Sequence, residues 1–319
     1  MYYILFDKRN NSFNRFLAEE IGASLIETHQ CENQIIGWIK GALLSVKISS
    51  KHDTIICWYD FQAILCFWIC RFLFLKRRII ALNILLKDKK TFRNKFVSFL
   101  YKKALLSENF KASVTSETYG SWLNEKLGIK VEYSLIHDVY HDLYEYQSKT
   151  LDKRNTVFCG GRNGRDWYFM IEVARAMPHV VFYMIMPKEV YMRYKHLFLS
   201  NMNVKYDVVY EEFMKTLCAC SLVCLPLDTE APAGLIVMFQ AVANDKMVIT
   251  TDTMTTKEYI GADRGVLLPN DIQQWSNAIE YYLKEDGERK CKYRNMKCFL
   301  KNECSENKFI DGIKYMLSC

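Results

Sequence analysis

The run Val157-Phe158-Cys159-Gly160-Gly161-Arg162-Asn163-Gly164-Arg165-Asp166-Trp167 reads as a strand entering a glycine-rich, doubly cationic turn and then a helix. Glycines let the backbone approach a ligand closely, a helix start offers free N–H groups, and arginines add bidentate contacts to an anion. That combination suits a diphosphate. The turn is not a Walker A loop, because no Gly-Lys-Ser/Thr follows, and it does not match the GxGxxG dinucleotide fingerprint. The plainer reading is an ordinary strand-to-helix turn with solvated arginines and Asp166 as the helix cap.

Downstream, an apolar run ends at Pro226-Leu227-Asp228-Thr229-Glu230-Ala231-Pro232-Ala233-Gly234, an acidic loop containing proline and glycine. A helix of small and apolar residues starts after Gly234 with Leu235 and Ile236 and runs past Gln240, and a new strand opens at Met247. Such a helix start aims its dipole and N–H groups at phosphate oxygens, while Asp228 and Glu230 are placed to hold sugar hydroxyls. The alternative is that both acids cap and solubilise the turn.

The same alternation extends outward. In the second half, strands are expected at 156–159, 180–186, 222–227, 247–250 and 265–268, with helices at 167–177, 211–218, 234–243, 272–284 and 309–317. In the first half, strands are expected at 2–6, 54–58, 78–86 and 112–114, with helices at 14–21, 61–75, 91–106 and 117–127. The last of these stops at Gly128, a common C-terminal signal. Between 134 and 154 the period is lost in a polar, aromatic segment, which places a domain boundary near 140. The expected fold class is α/β, with Rossmann-like domains at 1–140 and 141–319, the last helix being a candidate to pack back on the first domain. Ligands of such sheets bind at the carboxyl ends of the strands.

Composition agrees with a globular chain. Of 319 residues, 50% are hydrophobic and 25% charged, and the five prolines leave little room for low-complexity linkers. The net charge of +7 attracts phosphates and anionic lipid without singling out either. The opening MYYILFDKRN lacks a secretory pattern, so the twelve cysteines are expected as reduced thiols in a cytoplasmic protein. Neither Cys66 with Cys70 nor Cys218 with Cys220 has a paired CxxC zinc spacing. The most apolar segment, 61–75, is too short to span a bilayer and is interrupted by Arg71. It reads either as a core helix or as a membrane-surface helix, with Phe67, Trp68, Phe72 and Phe74 beside the basic edge Lys76-Arg77-Arg78.

Other polar clusters carry less chemistry. His137, Asp138, His141 and Asp142 have a spacing that could hold a metal, yet they fall in the boundary segment, where polar residues are ordinary. Lys87-Asp88-Lys89-Lys90 follows a strand and reads as a solvated loop or an acceptor-phosphate contact. The basic helix with Arg93, Lys95, Lys102 and Lys103 has no nucleic-acid reader motif, so no nucleic-acid partner is expected.

Taken together, the two stretches resemble the carboxyl-terminal half of GT-B glycosyltransferases, particularly the retaining family 4 type. Gly160-Gly161-Arg162-Asn163 with Arg165 is similar to that family's Gly-Arg…Lys element. Residues 234–248, then Thr250-Thr251-Asp252 and Lys257-Glu258-Tyr259-Ile260, are similar to its "GL…EAMA.GKPVI.T…EYI" element. The resemblance covers roughly 156–269 closely. Around Trp58-Tyr59-Asp60-Phe61 it looks like the acceptor domain of enzymes acting on lipid-linked saccharides.

The resemblance implies retaining transfer from a nucleoside-diphosphate sugar to a saccharide or polyprenyl-linked acceptor, in cell-surface polysaccharide assembly at a cytoplasmic, anionic membrane face. Arg162, Arg165 and Glu230 would be catalytic. Gly160, Gly161, Asn163, Gly234, Leu235, Ile236 and Gln240 would hold the donor between the two domains. No metal or further cofactor is implied, since charge on the leaving diphosphate would be met by arginine and the chain has no Asp-x-Asp motif. Asp138 belongs to the linker that faces the site in this family. The chain departs from the family at the second acid of the signature, where it has Gln240, and at Asp245 and Met247, where the family has Gly and Pro. Two rival readings follow: a GT-B epimerase acting on a nucleotide sugar, and a catalytically silent GT-B scaffold.

Overall fold

A computed structural model describes residues 1–6, 12–27, 34–86, 92–146 and 154–318. They group into two units, Met1–Val139 with Glu306–Cys319, and Tyr140–Ser305.

In the first unit the chain alternates β1 (Tyr2–Phe6), α1 (Ser12–Glu20), β2 (Ala23–Glu27), α2 (Gln34–Ile48), β3 (Thr54–Cys57), α3 (Asp60–Phe72), β4 (Arg78–Ala81), α4 (Phe92–Leu105), β5 (Phe110–Val114), α5 (Glu117–Leu127) and β6 (Ser134–Leu135). The strands form one parallel sheet in the order β2-β1-β3-β4-β5-β6. Apolar residues such as Ile4, Ile56 and Ile80 run through it with no exposure, the pattern of a sheet covered on both faces. Helix α5 shows how local sequence sets the ends. Ser116 caps its start by accepting from Tyr119 N–H, and Gly128 ends it in the left-handed region at φ 58°.

The second unit contains β7 (Thr156–Gly160), α6 (Trp167–Ala176), β8 (Val181–Met186), α7 (Lys188–Tyr194), β9 (Met202–Tyr206), α8 (Tyr210–Ala219), β10 (Leu222–Leu225), α9 (Leu235–Ala243), β11 (Val248–Thr251), α10 (Thr256–Ile260), β12 (Val266–Leu268), α11 (Ile272–Lys284) and α12 (Asp286–Glu303). Its parallel sheet has the order β12-β11-β10-β7-β8-β9, the doubly wound arrangement in which chain direction across the sheet reverses between β7 and β10. Helix α13 (Glu306–Ser318) belongs to the first unit, where Phe309, Ile310, Ile313 and Met316 are buried against Phe6, Phe13 and Leu17. Each such buried side chain contributes about 1.5–3 kcal/mol.

Several sequence expectations are corrected. The strand expected at 78–86 ends at Ala81, because Asn83 turns out of the extended region at φ 50° and its N–H leaves the ladder for Ser113 Oγ at 2.9 Å. The helix expected at 61–75 ends at Phe72, and Phe74 takes φ 54°. Most of it is a core helix, with Ala63, Ile64, Cys66, Phe67 and Cys70 buried. The sequence reading left β2, α2, β9, α7 and α12 unassigned. The cluster Lys87-Asp88-Lys89-Lys90 lies outside the described residues. Among the described residues, no helix is long and apolar enough to cross a membrane, and no cluster of His, Cys, Asp or Glu is arranged to hold a metal.

Candidate functional site

The switch point between β7 and β10 is where a doubly wound sheet leaves room for a ligand, and both singled-out stretches lead from it. They are tied to each other. Asp166 N–H donates to Pro226 O at 3.0 Å and Asp228 N–H to Gly164 O at 3.1 Å, an antiparallel bridge between Arg165 and Leu227. Asn270, just beyond β12, braces the junction by donating to Leu227 O at 3.0 Å and Asp166 Oδ2 at 3.1 Å. Its own carbonyl accepts from Thr251 Oγ1 at 2.6 Å, and Thr251 Oγ1 accepts from Leu227 N–H at 2.7 Å. The sequence reading did not pick out Asn270. Its only signal was an amide at the carboxyl end of a strand on the ligand edge.

Arg165 lies at the centre. It is only 6% exposed, yet among the described residues no carboxylate forms an ion pair with it. Its partners are backbone carbonyls: Nε donates to Gly160 O at 3.0 Å and Nη1 to Asn163 O at 3.2 Å. Burial pulls its pKa down to about 10, against the pull of Cys159 and Asp228, so the guanidinium stays charged at neutral pH. A buried cation with no carboxylate in direct contact costs several kcal/mol. This one also sits against the start of α9, the positive end of a helix dipole. Both facts favour an anion in front of it.

Two glycines make the placement possible. Gly161 at φ 124° and Gly234 at φ 82° flank the guanidinium, and a Cβ on either would lie 2.9 Å from one of its terminal nitrogens. Gly234 is also the N-cap of α9 and supplies no side-chain cap, so the first N–H groups of that helix face no side-chain acceptor from their own cap residue. Of the next residues, Leu235 is buried and Ile236 is exposed, which leaves the backbone as what both can offer a ligand here.

The remaining expected residues separate into distinct places. Arg162 is exposed and pairs with Asp207 at 3.0 Å, away from the buried position that Arg165 takes. Asp166 caps α6 by accepting from Phe169 N–H at 3.0 Å, so the capping role and the cationic turn coexist. Asp228 is exposed. Glu230 is anchored on the loop after β11, where its carboxylate accepts from Met254 N–H at 2.9 Å. Gln240 is 6% exposed on α9, and its side chain meets the Tyr210 hydroxyl, whose pKa burial raises and this bond lowers. Asp138 lies in the first unit and accepts from Val139 N–H at 3.2 Å. A groove of about 1060 Å³ on the second unit is lined by Arg154, Lys246, Arg289 and Lys297, near the amino ends of the strands. Lys297 is already paired there with Glu145 and Asp245, and Arg289 with Asp286, so the groove offers a weaker case than Arg165.

No protein-family model matches the sequence, and no curated protein matches it. Solved structures do. Anabaena HepE in complex with UDP-glucose is similar over 99% of both chains, with 13% identity and a TM-score of 0.70. Sucrose-phosphate synthase from Thermosynechococcus elongatus is similar over 99% of this chain and 98% of its own, with 11% identity and a TM-score of 0.79. WaaG, a glycosyltransferase involved in lipopolysaccharide biosynthesis, is similar over 98% of this chain and 99% of its own, with 10% identity and a TM-score of 0.67. The chain thus has the α/β, two-unit GT-B fold, as its sequence led us to expect.

Proposed function

We propose that this protein is a glycosyltransferase that moves a sugar from a nucleoside-diphosphate sugar to a saccharide or lipid-linked acceptor, with retention, in cell-surface polysaccharide or glycoconjugate synthesis. The observation that carries the proposal is the buried Arg165, which forms no ion pair among the described residues and is held between Gly161 and Gly234 at the start of α9. A diphosphate there would satisfy the cation and the helix N–H groups together. As the glycosidic bond breaks, charge grows on the leaving diphosphate, and a preorganised guanidinium stabilises it without reorganising. This is the work a metal performs in other sites, and it fits a metal-independent reaction. Glu230 holds sugar hydroxyls, Gln240 lies towards the ribose, and the first unit takes the acceptor. The similarity to HepE with bound UDP-glucose supports a uridine nucleotide as the first donor to try. The protein is expected to work in the cytoplasm, at a membrane surface.

The test is to incubate the protein with UDP-glucose and other nucleoside-diphosphate sugars, with and without EDTA, and follow release of the diphosphate. Release from one donor, unchanged by EDTA, supports the proposal, and an α-linked product from an α-linked donor establishes retention. Absence of both release and binding contradicts it. Binding without turnover would favour the silent scaffold, for which the specific observation is Gln240 in place of an acid.

A further inference from the structure

Helix α2 is inverted relative to an ordinary surface helix. Its inward face is small: Ala42 and Ser45 are buried, as is Ser49 just past its end, with Val46 the one larger residue among them. Its outward face carries Ile35, Ile36, Ile39, Leu43, Leu44 and Ile48, each between 41% and 53% exposed. A helix packing only on its own domain places its large apolar side chains inward. Ser45 Oγ folds back on Gly41 O at 2.8 Å, so the buried hydroxyl is satisfied and the orientation is settled.

The apolar surface continues beyond α2. Trp38 meets Phe61 at 5.3 Å near the starts of α2 and α3, Cys66 Sγ lies 4.0 Å from Ala42 O midway, and Arg77 Nε donates to Ser49 Oγ at 3.3 Å past their ends. The two helices therefore run side by side in the same direction. The turn after α3, with Phe72, Leu73 and Phe74 exposed, lies at the same end as Ile48. Phe74 is 94% exposed in a left-handed backbone conformation, which is uncommon for an aromatic residue.

Charge identifies the partner. Lys40, Lys47, Arg71 and Lys76 are exposed around this surface, and the sole acid in α2, α3 and α4 is Asp60, which is buried. A second copy of the same face would bring like charges together. We infer that the outward face of α2, with the Phe72–Leu73–Phe74 turn, lies in the interface of a bilayer rich in anionic phospholipid. The apolar side chains enter the acyl boundary and the flanking cations meet the headgroups. This surface belongs to the first unit, and the inference stands whether or not the second unit binds a nucleotide. It also extends the membrane contact, which the sequence placed on 61–78, from Phe72 and Phe74 to α2, whereas Phe67 is buried.

The test is co-sedimentation of the full chain with vesicles of phosphatidylcholine and phosphatidylglycerol in equal parts, and with phosphatidylcholine alone. Binding to the mixed vesicles, lost at high salt and absent from neutral ones, is expected. The double variant Ile39→Ser/Leu43→Ser, at exposed positions, should keep the wild-type melting temperature and bind at least about tenfold more weakly. Lys40→Glu/Lys47→Glu should weaken binding to mixed vesicles as well. No sedimentation of the wild type at low salt overturns the inference, as does unchanged binding of the Ile39→Ser/Leu43→Ser variant. Self-association of the wild type that this variant abolishes, without vesicle binding, would assign the face to a second copy and overturn it equally.

Discussion

Arg165 and Arg162 are three positions apart in one turn, and their surroundings assign them unequal weight. A charge contact made by a buried group is worth several kcal/mol, whereas exposed pairs contribute about 0–1 kcal/mol. Arg162→Ala, which removes an exposed partner of Asp207, should change nucleotide affinity by less than about fivefold. A larger loss in a titration would place Arg162 on the diphosphate. Gly234→Ala adds a methyl group against the guanidinium at a φ of 82°, so it should both destabilise the fold by about 1–2 kcal/mol and abolish nucleotide binding. Normal binding by that variant would show that the guanidinium can yield. Gln240→Glu restores a charged acceptor beside Tyr210 and should tighten nucleotide binding by about tenfold, with an unchanged dissociation constant removing Gln240 from the ribose site. The sequence named both arginines as anion ligands but could not rank them. Burial depends on how Gly161 and Gly164, both at positive φ, direct the turn, and on the Pro226–Asp228 segment after β10 that bridges to it from far along the chain.

At the scale of elements, Asp60 holds the start of α3 to its neighbours. Its carboxylate accepts from Leu85 N–H at 2.8 Å, Tyr101 Oη at 2.8 Å and Phe61 N–H at 2.7 Å. Burial nevertheless raises its pKa, the three donors only opposing the shift. A carboxyl whose folded pKa lies above its unfolded value contributes stability below the unfolded pKa and loses it as pH rises through the folded one. The urea midpoint of the wild type should therefore carry a term that falls from about pH 4 upward, and Asp60→Asn should remove it. Parallel profiles for the two proteins would contradict this. Helix α2 marks the limit of reading elements from sequence. Its apolar residues recur with a helical period, but the period cannot say which face is inward, and here the small residues Ala42 and Ser45 are. The end of β4 was hidden for a related reason: residues 82–86 are apolar enough for a strand, and only Asn83 at φ 50° ends it.

Across the whole molecule, topology was the most legible feature. Apolar runs of strand length alternating with helical periods already implied two parallel sheets, and the switch point of the second sheet falls between the two stretches that carry the resemblance. Short or polar-edged elements escaped because exposed strands such as β9 lack an apolar run. The cysteines follow the same division between inside and outside. Among the described residues Cys291 and Cys298 are exposed, while Cys57, Cys159 and Cys224 are buried, with thiol pKa values raised by burial, Cys159 to about 12. Native alkylation at neutral pH should modify Cys291 and Cys298 and spare those three until denaturant is added. Rapid labelling of Cys159 would mean that the strand behind Arg165 opens readily.

The central claim is that Arg165 at the start of α9 receives a nucleoside diphosphate, and calorimetric titration of UDP and GDP into wild type and Arg165→Gln tests it most directly. The account predicts saturable binding of one of them to the wild type and a loss of at least about a hundredfold in the variant, with the melting temperature of the free protein retained. Equal affinities in the two proteins, or no binding to either, would contradict it.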